Sequence, residues 1–358
     1  MASSMTQTPE QQMNSRLTTL RSKLKDLQSG VRLSAARDRV EDLSTLVNGL
    51  EPRIKELRQR GYAFGKSYEA QASSLAGQWQ ALRDGAVREI ERQSPQLEAG
   101  LRPLENRLSL VQARASTPAA IQATVSQLET DVNTFADKVK AVESSIGGMY
   151  NSFSTAVSKL KIELDRLDWM LQQFAEATFR LLASEGAVMA VKATYSKDEN
   201  TGKDDPQGIL YLTDQRLFFE QKQEVATKKM LFITTQKEKV HQLLLEAPVE
   251  LVDALQANKK GLFGHEDHLQ ITFKPGVAVP AAWFHLDGQD CSRWQGLIGQ
   301  ARGHEFDDDR AVPLDPELIK KASSAPGKCP NCGAPVTQVV LRGMDSIRCE
   351  YCQYVIRL

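Results

Sequence analysis

Gly208-Ile209-Leu210-Tyr211-Leu212-Thr213-Asp214-Gln215-Arg216-Leu217-Phe218-Phe219-Glu220 is the stretch on which the fold depends. Two apolar, β-prone runs flank the polar pair Asp214-Gln215, so the stretch reads as a β-hairpin. Further candidate strands surround it, at 187–191 before and at 229–234, 240–246, 249–255, 268–273 and 281–286 after. Residues 196–207 form a polar loop with turn chemistry. Residues 288–302 place Cys291, Trp294, Leu297, Ile298 and Ala301 on one face, the pattern of a short amphipathic helix. Several short strands and one closing helix describe a small capped barrel over 185–303.

The hairpin resembles the signature of GRAM and bacterial pleckstrin-homology-like domains. There a glycine and an apolar strand meet Thr-Asp/Asn-x-Arg-Leu at the turn. Gly208, Thr213, Asp214, Arg216 and Leu217 stand at those places. Trp294 resembles the aromatic that plugs the barrel. The likeness covers 185–303, about a third of the chain. It implies a binding module without a catalytic centre; some relatives hold phosphoinositides and many hold proteins. Arg216 is expected to fix the turn. Lys228-Lys229, Lys237, Lys239 and Lys259-Lys260 read as solvated turns, because the segment carries a net charge of −2. Each basic residue near an anionic leaflet is worth only about 1 kcal/mol, so membrane lipid is expected to bind weakly.

Upstream the period changes from 2 to 3.6. Residues 1–15 are polar and are expected to be a flexible N-terminus. From 16 to 182 apolar residues recur at alternating steps of three and four, the seam of a coiled coil. The strongest run is Val125, Leu128, Val132, Phe135, Val139, Val142, Ile146, Met149 and Phe153. A stutter leads to Val157, and Leu160, Leu164, Leu167, Leu171, Phe174 and Leu181 follow. Read as one helix, 119–182 would be roughly 95 Å long. Ser94-Pro95 and Thr117-Pro118 look like N-caps followed by proline at the first helical position. Such a seam must be covered, either by earlier helices folding back or by self-association of two chains.

Downstream, residues 304–327 read as a linker. It leads to Cys329-Pro330-Asn331-Cys332 and Cys349-Glu350-Tyr351-Cys352. Two Cys-x-x-Cys pairs at this separation have the spacing of a four-thiolate zinc site. Each short loop aims two sulfurs at one point, and two loops complete a tetrahedron. Residues 328–358 therefore resemble a zinc ribbon with structural Zn²⁺ on Cys329, Cys332, Cys349 and Cys352. So small a unit has almost no core, and the metal must supply its folding energy. Iron on the same four thiolates is the rival. Tyr351 and Tyr354 are expected to pack on the knuckle.

Composition removes other classes. The chain has 358 residues with 45 basic and 45 acidic side chains, so no net charge steers it to polyanions. The segments 1–182, 185–303 and 304–358 carry +3, −2 and −1. No signal peptide or membrane span is read, and the protein is expected to be cytoplasmic. His265 and His268 bracket Glu266-Asp267 but lack the helical spacing of a metalloprotease, and they read as a polar turn. No catalytic constellation stands out. The expected architecture is multidomain: an elongated all-α coiled-coil region, a PH-like barrel capped by a helix, and a small zinc ribbon. The expected function is a non-enzymatic scaffold docking a protein partner. The alternative is a factor whose ribbon binds nucleic acid.

Overall fold

Thr8 starts the first helix. Its hydroxyl accepts from the Gln11 amide, and the Gln11 side chain accepts from the Thr8 amide. This capping box satisfies two amides that would otherwise be orphaned at the start of α1 (Pro9–Gly30). The flexible stretch expected over 1–15 is therefore helical from Pro9 onward. The computed structural model describes residues 8–114, 118–199, 202, 205–230, 233–261 and 265–358, with backbone alone at 118 and 224–239. The helices that follow are α2 (Ser34–Gln59), α3 (Tyr68–Gln112), α4 (Pro118–Gly148) and α5 (Asn151–Glu176).

The chain divides into two units, Met1–Pro52 with Ala70–Ile162, and Arg53–Glu69 with Glu163–Leu358. The expected helical region is thus shared between them, not one body. In the first unit the α4 seam is covered by helices of the same chain. Val125, Leu128 and Val132 are wholly buried. Arg16 on α1 holds Glu129 on α4 with two hydrogen bonds of 2.9 and 2.7 Å. Arg107 on α3 pairs with Asp131 on α4. Trp79 on α3 stacks on Phe153 at 5.3 Å and donates its indole N–H to the Ser44 hydroxyl at 2.9 Å.

Two expected helix boundaries move. Ser94 is not a cap: α3 runs through Pro95, with Ile90 and Leu97 wholly buried on either side. The Ser94 hydroxyl instead donates to the Val31 carbonyl at 2.9 Å, which satisfies a carbonyl at the end of α1. Thr117 lies outside the described residues. The expected helix 119–182 breaks after Gly148, where backbone entropy weakens it. The break moves the stripe from Met149, 40% exposed, to Tyr150, 5% exposed. With Tyr150 in the seam, the steps from Ile146 through Phe153, Val157, Leu160 and Leu164 alternate regularly. No stutter is needed.

The second unit carries β1 (Ala187–Ser196), β2 (Gln207–Thr213), β3 (Arg216–Met230), β4 (Ile233–Pro248), β5 (Val252–Lys260), β6 (Glu266–Phe273) and β7 (Ala281–Leu286). They form one antiparallel sheet in the order β4-β3-β2-β1-β7-β6-β5, and α6 (Cys291–Arg302) follows. This arrangement is consistent with a PH-like fold. Its edges are β4 and β5, so the ladder is open rather than a hydrogen-bonded closed barrel. The separate strand expected at 229–234 is the tip of a long β3–β4 hairpin, where Met230 pairs with Ile233. Polar residues after Glu220 hide that extension, because they break the apolar pattern by which a strand is read in sequence.

Both faces of the signature hairpin are buried, which explains its unbroken apolar run. On one side Phe179 stacks on Phe218 at 3.9 Å, and Phe174 meets Tyr211 edge-on at 4.9 Å. These two phenylalanines were expected in or beside the helical seam; α5 ends at Glu176, and they cover the sheet instead. On the other side Phe219, Phe284 and Trp294 are wholly buried. Gly208 is required because a Cβ there would lie 1.9 Å from the Glu220 carbonyl oxygen. Arg216 fixes the turn as expected. Its guanidinium pairs with Glu185 and Glu246, while the Thr213 hydroxyl accepts from the Gln215 and Arg216 amides at 3.1 and 2.7 Å.

Candidate metal centre

The two Cys-x-x-Cys loops are backbone copies of each other. In the first, Gly333 N–H donates to the Cys329 carbonyl and Cys329 N–H donates to Ala334. In the second, Gln353 N–H donates to the Cys349 carbonyl and Cys349 N–H donates to Tyr354. The residue after each second cysteine is left-handed, with φ of 73° at Gly333 and 61° at Gln353. Glycine adopts that conformation freely; glutamine does so at a cost. The short strands β8 (Ser346–Arg348) and β9 (Val355–Arg357) pair on either side of the second loop. Among the described residues, Ile347 and Ile356 are the fully buried aliphatic members of the cluster with Cys329 and Cys349, and Val336, Val340, Met344 and Leu358 pack partly buried against it.

The four sulfurs converge. Cys329 Sγ lies 3.7 Å from Cys352 Sγ, and Cys332 Sγ lies 3.7 Å from Cys349 Sγ. All four lie within 4.8 Å of one another. A tetrahedral ion with bonds of ~2.3 Å to sulfur sets its ligands ~3.8 Å apart, so the donor set fits such an ion. The local fields pull in opposite directions. The Asn331 amide and the Tyr354 backbone hold the Cys352 thiol down at about 6. At Cys332 the Ala334 amide favours the thiolate, yet contact with Cys352, Cys349 and Cys329 pushes the thiol up to about 12. Four thiolates this close repel one another unless a cation lies between them.

Arg342, on the loop between the cysteine pairs, ties this unit to the hairpin turn. Its guanidinium donates to both Asp307 oxygens at 2.8 and 2.7 Å and to Asp214 at 3.0 Å. Its backbone N–H donates to the Gln215 side chain at 2.7 Å, and its carbonyl accepts from the same side chain at 3.1 Å. Arg310 also binds Asp214, at 2.5 Å. Burial pushes the Asp214 carboxyl up, against the pull of the Gly186 amide and the two guanidiniums. The stretch expected to be a free linker, 304–327, therefore begins as a docked segment. Ala311 N–H donates to the Ala63 carbonyl at 2.8 Å, and Phe306 packs on Phe64 at 5.3 Å. Arg342 carried no motif that could have marked it, because its partners are about 35 and 128 residues away.

Other candidate residues fall into place separately. Lys259 is engaged by Asp267 at 2.7 Å and Asp290 at 3.0 Å, and these carboxylates hold its ammonium up. The side chains of Lys228, Lys229, Lys237 and Lys239 lie outside the described residues. Tyr351 and Tyr354 do not pack on the knuckle: they are 67% and 46% exposed. The polar turn expected around His265 and His268 is the start of strand β6 from Glu266 onward. His268 sits opposite His285 on β7, and burial holds its imidazolium below the ordinary value. A cross-strand neighbour of this kind leaves no signal in sequence spacing.

No family model matches the chain, and no curated protein matches it. Solved structures similar to part of it include the N-terminal PH domain of Vps36, at 12% identity and TM-score 0.25. That likeness covers 35% of this chain and 85% of the other. A pleckstrin homology domain from Shewanella amazonensis is 17% identical at TM-score 0.23, covering 37% and 87%. A DUF1696 family protein with a pleckstrin-homology domain from Shewanella loihica is 16% identical at 0.23, covering 38% and 92%. Scores this low leave the fold to be argued from the strand order itself.

Proposed function

We propose that the protein is a non-enzymatic adaptor whose PH-like module and cysteine unit act together as a docking head for a protein partner, in a reducing compartment such as the cytoplasm. The observation that carries this reading is the convergence of four cysteine sulfurs in a unit clamped by Arg342 to the hairpin turn. Four protein sulfurs fill a tetrahedral Zn²⁺ and leave no position for a catalytic water. The ion is therefore structural: it supplies the folding energy that Ile347 and Ile356 cannot. The ribbon-like unit in turn holds Arg342 against Asp214.

Metal analysis of the purified chain tests the centre. The expected result is zinc at this site, with Co²⁺ substitution giving thiolate-to-cobalt charge transfer that is lost in Cys332→Ser with Cys349→Ser. An iron–sulfur chromophore or no metal at the cysteines would overturn it. Co-sedimentation with phosphoinositide vesicles at physiological salt tests the docking target. Weak binding is expected, since Lys259 is already engaged by two carboxylates. Micromolar binding abolished by Lys259→Glu with Lys260→Glu would make this a membrane-recruited adaptor.

A second reading is favoured by one observation. Tyr351 and Tyr354 are exposed in the same small unit as the exposed Arg348 and Arg357, and aromatic rings together with guanidiniums suit stacking on single-stranded nucleic acid. Salt-dependent binding of an unstructured oligonucleotide, lost in Tyr351→Ala, would move the assignment to that class.

A further inference from the structure

Strands β6 and β7 pair in a register that sets His268 opposite His285. Their inward neighbours Leu269, Ile271, Phe284 and Leu286 are buried, so both imidazoles stand on the outer face of the sheet. The rings lie 5.0 Å apart between centroids, tilted by 31°. Glu266 shares that face, two residues before His268, with its Oε2 3.2 Å from His268 Nε2. One donor atom from each of the three lies within 4.8 Å of the others.

We propose that Glu266, His268 and His285 form a second metal site, a labile one for a first-row divalent cation such as Zn²⁺, Co²⁺ or Ni²⁺. Two imidazoles and a carboxylate are the donor set these ions prefer, and the strand register fixes both rings. Three protein donors leave a coordination position for water or an anionic group. That position is reachable from solvent: His285 also lines a cavity of about 570 Å³ with Lys192, Thr194, Gln207 and Lys222. The remaining cluster among the described residues, Asp267, Asp290 and Cys291, is already satisfied by Lys259 and by the start of α6. Lys260 stands opposite Glu266 on β5 and reaches Glu199 at 4.0 Å. Its charge weakens the site for a dication, which makes the ion exchangeable where the cysteine centre holds its own.

The test titrates Co²⁺ into the full chain and follows the histidine ring signals by NMR. The chain has five histidines. The expected result is that His268 and His285 broaden first, at substoichiometric Co²⁺, while His241 and His304 stay sharp. Equilibrium dialysis should find one added metal, removed by mild chelation, and none in His268→Asn with His285→Asn. Lys260→Ala should tighten binding several-fold. The cysteine centre is first loaded with Zn²⁺ so that added Co²⁺ meets this site, and because the site has no thiolate its cobalt spectrum lacks the sulfur charge-transfer band. Uniform broadening of all five histidines, or an added metal retained in the double variant, overturns the proposal. Circular dichroism confirms that the variant is folded, and the single change His285→Gln, which keeps a polar side chain, must also weaken binding.

Discussion

The PH-like module and the cysteine unit are neighbours held together by opposite means. The module buries Trp294, Tyr211, Phe218, Phe219 and Phe284 completely. Each such aromatic removes roughly 150–250 Å² from water. The cysteine unit has Ile347 and Ile356 and four sulfurs. One region is stable because of what it excludes from water; the other, on the function proposed above, depends on the ion its four sulfurs are arranged to hold. Removing metal and removing a core side chain should therefore damage different halves of the same head.

The largest expected effect is on the cysteine unit. A structural zinc contributes ~10–16 kcal/mol of binding free energy in small metal-folded units. Strong chelation, or Cys332→Ser with Cys349→Ser, should abolish amide exchange protection over 328–358 while β1–β7 stay protected. Loss of protection throughout the sheet would break the comparison. Next comes Trp294→Ala, expected to cost ~3–5 kcal/mol of module stability by leaving a cavity. Thermal unfolding should shift strongly, while the thiolate-cobalt spectrum stays unchanged below the transition.

Arg342 is where the two meet. Arg342→Ala leaves Asp307 without its bidentate partner and Asp214 with Arg310 alone. The expected cost is about 2 kcal/mol, less than the ~3–5 for a wholly buried pair, since Arg310 still neutralises Asp214. Metal content should not change, but exchange protection at 341–343 and at the 213–216 turn should fall together. If only one of the two loosens, the clamp is not shared.

The smallest effect sharpens the module's side. Burial raises the Glu220 carboxyl, but the Thr178 hydroxyl and amide, together with His241, outweigh it and hold the group below its ordinary 4.5. A depressed carboxyl contributes stability that is complete above the unfolded value and drains away as pH falls through the folded one. Glu220→Gln should therefore lose ~1–3 kcal/mol at pH 7. Below 4.5 its stability should fall less steeply with pH than that of the parent chain. Urea unfolding across that range measures both.

Local chemistry determined much of this protein from sequence alone. The hairpin 208–220, the α6 stripe with its buried Trp294, and the two cysteine loops were legible because each is written within a few residues. Turn chemistry, helical period and knuckle spacing are short-range constraints, and nothing distant can satisfy them otherwise. Three things were decided only by the tertiary structure. The seam is covered by the chain's own α1 and α3, a matter of which apolar faces can reach one another. Phe174 and Phe179 cover the hairpin, although Phe174 continues the helical spacing of the seam from Leu171. Arg342 meets Asp214, and His268 meets His285, because sheet register and loop docking bring together residues that the sequence keeps apart. Those contacts depend on three-dimensional closure, and no periodicity along the chain encodes it.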